Sequence, residues 1–391
     1  MISLKNRSYK EVIWFSLLFL IGYTLYFLVK FIPYGVDIKI HNFYLIEYLE
    51  NGYFPIPPGY YFLIYLLDLF VSWKYQFLLS SILVLLFFFG WKYKIILEWL
   101  IKEFEVKEKK AFIISLGIMF FGPLVIPSID KDFWYLGKFT PTIWHNSTLI
   151  AALPFSLLLF KQTLVWWERK TSSSYYKIWL LALLVLLIKP SYLFCFIPLL
   201  PLFSGIYYGF NQKVFFQALL FSFGMLGLIW VEKYLIYSWD PMITDFYEVS
   251  DQPQIEIRPF KVWLHYAFEP IWDFFSSFSL SIAFIVLFGK NLLLKNQKPL
   301  AFSFSLLLLS LIIYWLFAET GFREWHANFY WQIPISYLIH LVIMIGFVFR
   351  RISGKNGKYD LKTLTFLTLF SLHVLSGIAY WGRIFTERII S

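Results

Sequence analysis

The sequence predicts an all-α polytopic membrane protein, with about eleven transmembrane helices and interfacial helices in the first outer loop. Three observations carry that expectation. The 391 residues are 59% hydrophobic and 23% aromatic, with a mean hydropathy of +0.65. Only 15% are charged, against about a quarter in soluble domains, and no soluble fold could bury this much apolar surface. The apolar residues also fall in runs near the roughly 20 needed to cross a bilayer core, with basic clusters between them.

The elements follow in order. The first run, 12–32, is long enough to span and lacks a small-residue cleavage site, so it reads as a retained anchor and not a signal peptide. Lysine and arginine cluster at 5–10, 92–110, 161–177, 213, 290–298 and 350–362. If all these segments are cytoplasmic, the positive-inside rule holds throughout. Spans then fall near 12–32, 75–91, 111–127, 148–165, 177–188, 191–206, 214–231, 271–288, 299–317, 331–349 and 363–380, with the N-terminus inside and the C-terminal tail outside. The net charge of +10 is accounted for by this topology, and no nucleic-acid partner is expected. The lone Cys195 excludes a disulfide framework and a thiol metal cluster. With no long linker, low-complexity tract or clear repeat, residues 1–391 read as a single transmembrane domain without a soluble domain.

The stretch "PPGYYFLIYLLDLFVS", residues 57–72, resembles a second span. Counting it as one would carry the basic segment 92–110 to the outer face. Its apolar run is only ~14 residues and contains Asp68, and short runs of this kind lie at the interface or re-enter. Residues 33–74 are therefore expected to form one outer loop. It should hold two amphipathic helices: one over 38–51, ended by Gly52, the other starting after Pro57-Pro58, whose rings suit a helix start.

With that topology, most acidic residues and four of the six histidines (His41, His145, His265 and His326) fall outside. The outer face is thus the expected working side. Asp37 and His41 are four residues apart just after the first span, so they share a helical face at headgroup level. Asp37 could act as a general base toward a hydroxyl, or simply cap the helix that follows. His41 could assist it, or be a packing residue. Asp130 and Asp132 could share a divalent cation, Mg or Mn, through carboxylate oxygens, or cap a loop helix. His145 and Asn146 precede the fourth span; Asn146-Ser147-Thr148 matches a glycosylation sequon, but so near the membrane it reads as a helix cap. Lys189 sits in the turn between two short spans, at an outer end where topology disfavours lysine, so a phosphate partner is plausible beside ordinary snorkelling. Glu319 and Arg323 could form an i, i+4 pair. Arg323, with His326 nearby, is equally suited to hold a phosphate.

The order of an N-terminal span, an outer loop opening on Asp37, the stretch "HNFYLIEYLENGYFPIPPGYYFLIYLL" and a span ending in basic residues resembles the first loop of the GT-C superfamily of membrane glycosyltransferases. The likeness is one of layout along the chain. It implies that Asp37 takes the position of the family's catalytic base, and that 38–51 and 57–72 take those of its juxtamembrane helices. It further implies a sugar donor on a polyprenyl phosphate. Two departures are visible: Asp37 has no adjacent acid, and no periplasmic C-terminal domain follows.

The resulting expectation is a GT-C-like glycosyltransferase (hexosyl or pentosyl) of the cell envelope, in a bacterial inner (plasma) membrane with its site facing outward. It would transfer a sugar from the lipid-phosphate donor to a hydroxyl on a glycan, lipid or protein acceptor. No cofactor is required beyond the divalent cation raised above. A lipid-linked substrate transporter or flippase would instead bury charges mid-span in broken, repeated helices. A membrane acyltransferase would want a histidine within the bilayer, where His340 and His373 lie; both read more simply as helix–helix hydrogen bonders.

Overall fold

The computed structural model describes residues 2–32, 35–71, 76–244, 254–291, 297–354 and 359–387. Residues 33–34 and 72–74 of the expected outer loop lie outside these, as do the interiors of two basic clusters, 292–296 and 355–358.

The chain is almost wholly helical. A long helix α1 (Ile2–Phe31) leads to two short ones, α2 (Asp37–Glu50) and α3 (Gly59–Asp68), then α4 (Leu78–Lys102) and α5 (Glu108–Met119). The short α6 (Pro127–Asp130) precedes α7 (Ser147–Arg169), α8 (Ser172–Ile188), α9 (Ser191–Tyr208) and α10 (Lys213–Tyr234). A π-helical turn (Leu235–Trp239) extends α10, followed by α11 (Pro241–Thr244), β1 (Ile255–Ile257), α12 (Lys261–Tyr266) and α13 (Pro270–Phe288). Next come α14 (Lys298–Leu316), β2 (Phe317–Glu319), two 3-10 turns (Gly321–His326 and Asn328–Tyr330), α15 (Gln332–Gly354) and α16 (Leu361–Glu387). The strands pair antiparallel, Ile255 opposite Glu319.

Among the described residues nine helices are long and apolar enough to cross a membrane. The two further expected spans are shorter: α5 has 12 residues and α8 has 17. α5 stops because Gly122-Pro123 and Pro127 follow, and the extended chain bonds sideways, Gly122 N to the His373 carbonyl at 3.3 Å and Leu124 N to Ser276 at 3.0 Å. Gly377 permits this approach, since a Cβ there would stand 1.6 Å from the Phe120 carbonyl oxygen. α4 runs past the expected end at residue 91, so Lys92 and Lys94 lie on the helix and not in a loop; Lys92 is buried with its ammonium 4.7 Å from the Phe89 ring.

At 14 and 10 residues, α2 and α3 are too short to span. α3 starts right after Pro58, as the sequence suggested, and Gly59 seats it on the end of α8, where a Cβ would meet the Leu187 carbonyl at 2.7 Å. Helix starts are set by local chemistry. Asn146 caps α7 by accepting from Leu149 N at 2.9 Å, Thr171 caps α8, and Asp360 accepts from Thr363 N at the start of α16.

α15 is the central helix, with 94% of its most apolar window buried, against 28% for α10 and α16 at the periphery. Three of the basic segments, 92–110, 161–177 and 350–362, meet at one end of the bundle. Lys161 pairs with Glu103 at 3.1 Å, Arg350 donates to the Glu103 carbonyl, and Lys110 donates to the Tyr359 hydroxyl at 2.9 Å. The first-loop helices and the other acidic loops meet at the opposite end.

Candidate active site

At that opposite end α2, α7, the α8–α9 joint and the turn after β2 bring Asp37, His41, His145, Asn146, Lys189, Arg323 and His326 into one neighbourhood. Asp37 is the first residue of α2, and the helix start at Val36 carries no side-chain cap, so Asp37 is not its N-cap. Its Oδ2 instead accepts from Asn146 Nδ2 at 2.5 Å. Asn146 therefore works twice: its Oδ1 caps α7 and its Nδ2 holds Asp37. The Thr148 hydroxyl reaches Asn146 Oδ1 at 3.3 Å and accepts from Lys189 Nζ at 3.1 Å, so a polar chain runs from Asp37 to Lys189.

Lys189 breaks the helical run between α8 and α9 in extended conformation. Its ammonium lies 5.2 Å from the Trp331 ring, which also meets His145 edge-on at 6.4 Å. Burial pulls the Lys189 pKa down to about 8; nearby Asp37 opposes the shift and Arg323 adds to it. His41 Nδ1 is 2.5 Å from the Tyr61 hydroxyl, with Tyr44, Tyr60 and Tyr61 edge-on around the ring. Burial lowers its pKa to about 4 against the pull of Asp37, so the imidazole is neutral at pH 7. His145 is lowered for the same reason, again opposed by Asp37. His326 lies within electrostatic reach of both Arg323 and Asp37. Asp37, His41, His145, Lys189 and Arg323 are partly buried, neither sealed nor fully wetted.

The expected Glu319–Arg323 pair is not made. The residues after Thr320 form a 3-10 turn and not an α-helix, so an i, i+4 separation does not place them on one face. Arg323 donates to the Tyr237 hydroxyl and its guanidinium lies over the same ring, while Glu319 accepts from Asn328. Burial raises the Glu319 pKa, with its Asn328 bond opposing.

Asp130 and Asp132 belong elsewhere, and they separate from each other. Lys131 adopts φ +49°, which turns the chain between them. Asp130 is sealed against Lys138, Trp272 and the Ile126 amide, whereas Asp132 faces Arg383 at 3.5 Å with an exposed side chain. The two carboxylates therefore do not form a shared Mg or Mn site. Among the described residues no group of three or more His, Cys, Asp and Glu side chains could hold a metal ion.

Several partners had only faint sequence signals. Tyr44 and Tyr48 continue the Asp37–His41 stripe at helical spacing, and Tyr48 donates to Asp240 at 2.7 Å. Asp240 precedes a proline and accepts from Met242 N, a local turn signature. Tyr237 sits in the π-helical turn, which no pattern announces. The two span histidines are hydrogen bonders, as expected. His373 Nδ1 donates to the Gly122 carbonyl at 2.6 Å, which makes Nε2 the acceptor for Ser279, and His340 Nδ1 meets Ser303 at 3.0 Å.

A groove of about 990 Å³ between α1, α5 and α16 touches none of these polar residues. Its apolar wall is a surface that acyl chains would cover. No protein-family model matches the chain, and no curated protein matches it.

Proposed function

We propose that the protein is a membrane glycosyltransferase of GT-C type, using a polyprenyl-phosphate sugar and an acceptor hydroxyl at the face of the membrane where α2 and α3 lie. The observation that carries this reading is the state of Asp37. It is fixed in place by one hydrogen bond from Asn146, stands beside a neutral histidine, and is electrostatically coupled to Lys189. Among the described residues no cation pairs with it directly, and a carboxylate so held is suited to accept a proton.

In this mechanism the acceptor oxygen attacks the anomeric carbon and its proton passes to Asp37. The bond from that carbon to the phosphate oxygen breaks, and the lipid phosphate leaves with the electron pair. Lys189 and Arg323 balance the charge on the departing phosphate. Neutral His41, anchored by Tyr61, orients the acceptor, and Trp331 with the α2 tyrosines offers faces for sugar rings. Asn146 positions Asp37, and His145 and His326 border the same space. Glu319 supports the turn that carries Arg323. Asp130, sealed against Lys138, belongs to the scaffold, and Asp132 faces Arg383.

The test is Asp37→Asn in reconstituted protein with a polyprenyl-phosphate sugar. Donor binding and folding should survive, while transfer falls by roughly 10²–10⁴-fold, the usual worth of general-base catalysis. His41→Gln should cost less. Wild-type transfer by Asp37→Asn would remove the base and with it this assignment.

A further inference from the structure

The basic end of the bundle holds a second polar site that the proposed reaction does not use. The C-terminal ends of α7, α9 and α15 and the first turn of α14 enclose a crevice of about 330 Å³. Lys298, Arg350, Glu168 and Tyr208 are on its wall, with the half-buried Leu164 and Phe347 supplying an apolar side. Lys170, from the end of α7, and Lys298, from the start of α14, both converge on the Tyr208 ring, each ammonium 4.4 Å from its centroid. The two charges therefore stand within roughly 9 Å of each other.

Topology alone does not ask for this. Basic residues that only fix orientation need no shared crevice, whereas here Lys298 and Arg350 line one crevice with a single carboxylate, Glu168, and Lys170 shares the Tyr208 ring at its edge. Lys298 donates to the Tyr208 hydroxyl at 3.1 Å and Arg350 to the Glu103 carbonyl. An ammonium has three donors and a guanidinium five, so bonding capacity toward a ligand remains. The start of a 19-residue helix lines the same space, and helix starts favour anions.

We infer that this crevice binds the phosphate of an anionic membrane lipid, with the headgroup against Lys298, Arg350 and Lys170 and an acyl chain along the Leu164–Phe347 side. A soluble phosphate would satisfy the cations but leave the half-buried Leu164 and Phe347 uncovered. Basic pockets between helix ends on the basic face of membrane proteins suit such headgroups.

The experiment uses the full chain in nanodiscs and measures retained lipid by native mass spectrometry, with phosphatidylglycerol competing against phosphatidylcholine. Wild type should retain phosphatidylglycerol roughly tenfold over phosphatidylcholine. Lys298→Gln and Arg350→Gln should each lower that preference about fivefold, the effect of one basic residue near a membrane surface. Lys170→Gln, at an exposed position, provides a variant with little structural risk and should act in the same direction. Lys131→Gln, at an exposed position on the other end, should change nothing. Equal retention of both lipids, unchanged preference in all three variants, or displacement of phosphatidylglycerol by excess inorganic phosphate would each overturn the inference. None of these outcomes bears on Asp37, so this site and the proposed reaction stand or fall separately.

Discussion

Two buried or half-buried lysines at the same end of the molecule differ in how completely they are satisfied. Lys138 is sealed, and its ammonium donates to Asp130 at 2.8 Å, Asp273 at 3.1 Å and the Ser276 hydroxyl at 2.7 Å. Its three donors are all engaged. The carboxylates are equally occupied: Asp130 also accepts from Ile126 N and Trp272, and Asp273 from Glu269 N. Lys189, among the described residues, has one hydrogen bond, to Thr148, and a tryptophan face. Asp37, among the same residues, has one, from Asn146. A saturated ionic cluster ties the loop after α5 to α13 and has nothing left to offer a ligand. An unsaturated, partly wetted one keeps capacity for a substrate at a cost in stability. That contrast, and not the number of charged residues, separates scaffold from candidate site.

The largest effect should come from breaking the saturated cluster. Lys138→Met would leave Asp130 and Asp273 buried without their cation, a change typically costing about 3–5 kcal/mol. Thermal unfolding in detergent should show it as a large loss of stability. Lys189→Met removes an incompletely paired buried cation and should leave stability nearly unchanged or slightly improved. Equal losses for the two variants would dissolve the distinction.

A pH series sharpens the other half of the contrast. Lys189 has its pKa lowered to about 8 by burial, from the ordinary 10.5. Its charge is therefore complete well below pH 8 and is lost as pH rises through that value, two units or more before an exposed lysine would lose it. If its ammonium holds the donor phosphate, binding should weaken by about tenfold between pH 7 and pH 9. Lys189→Arg, which stays charged in that window, should flatten the profile. A wild-type profile already flat to pH 9 would mean that Lys189 does not carry the phosphate.

The same contrast explains what could be read from the chain. The apolar runs gave the helices, because spanning length and hydropathy are local properties. The Asp37–His41 face of α2 was legible because helical spacing alone puts those two residues on one side, whereas Tyr44 and Tyr48 further along it passed as ordinary interfacial aromatics. Lys189 stood out by lying where topology disfavours a lysine. Lys138 did not, because its partner Asp273 is remote in sequence and was counted inside a span. Asp130 and Asp132 looked like a pair only while the chain was assumed to run straight through Lys131. Glu319 and Arg323 looked like a pair only while their turn was assumed to be α-helical. Misreadings arose where backbone geometry, and not side-chain type, decided direction.

The smallest expected effect isolates the link between scaffold and site at Asn146, which caps α7 and holds Asp37 with the same side chain. Asn146→Ala should remove both roles and cost about 1 kcal/mol of stability through the lost cap. Asn146→Ser separates them. Serine caps a helix about as well as asparagine, so stability should change by no more than a few tenths of a kcal/mol. Its hydroxyl is too short both to cap and to reach Asp37, so the carboxylate loses its anchor. Transfer should then fall roughly tenfold, because a carboxylate free to rotate is less often aligned with the acceptor. Donor binding should hold, since Lys189 and Arg323 are untouched. If Asn146→Ser keeps wild-type turnover, Asp37 does not need this hydrogen bond for its work, and Asn146 belongs with Lys138 to the scaffold.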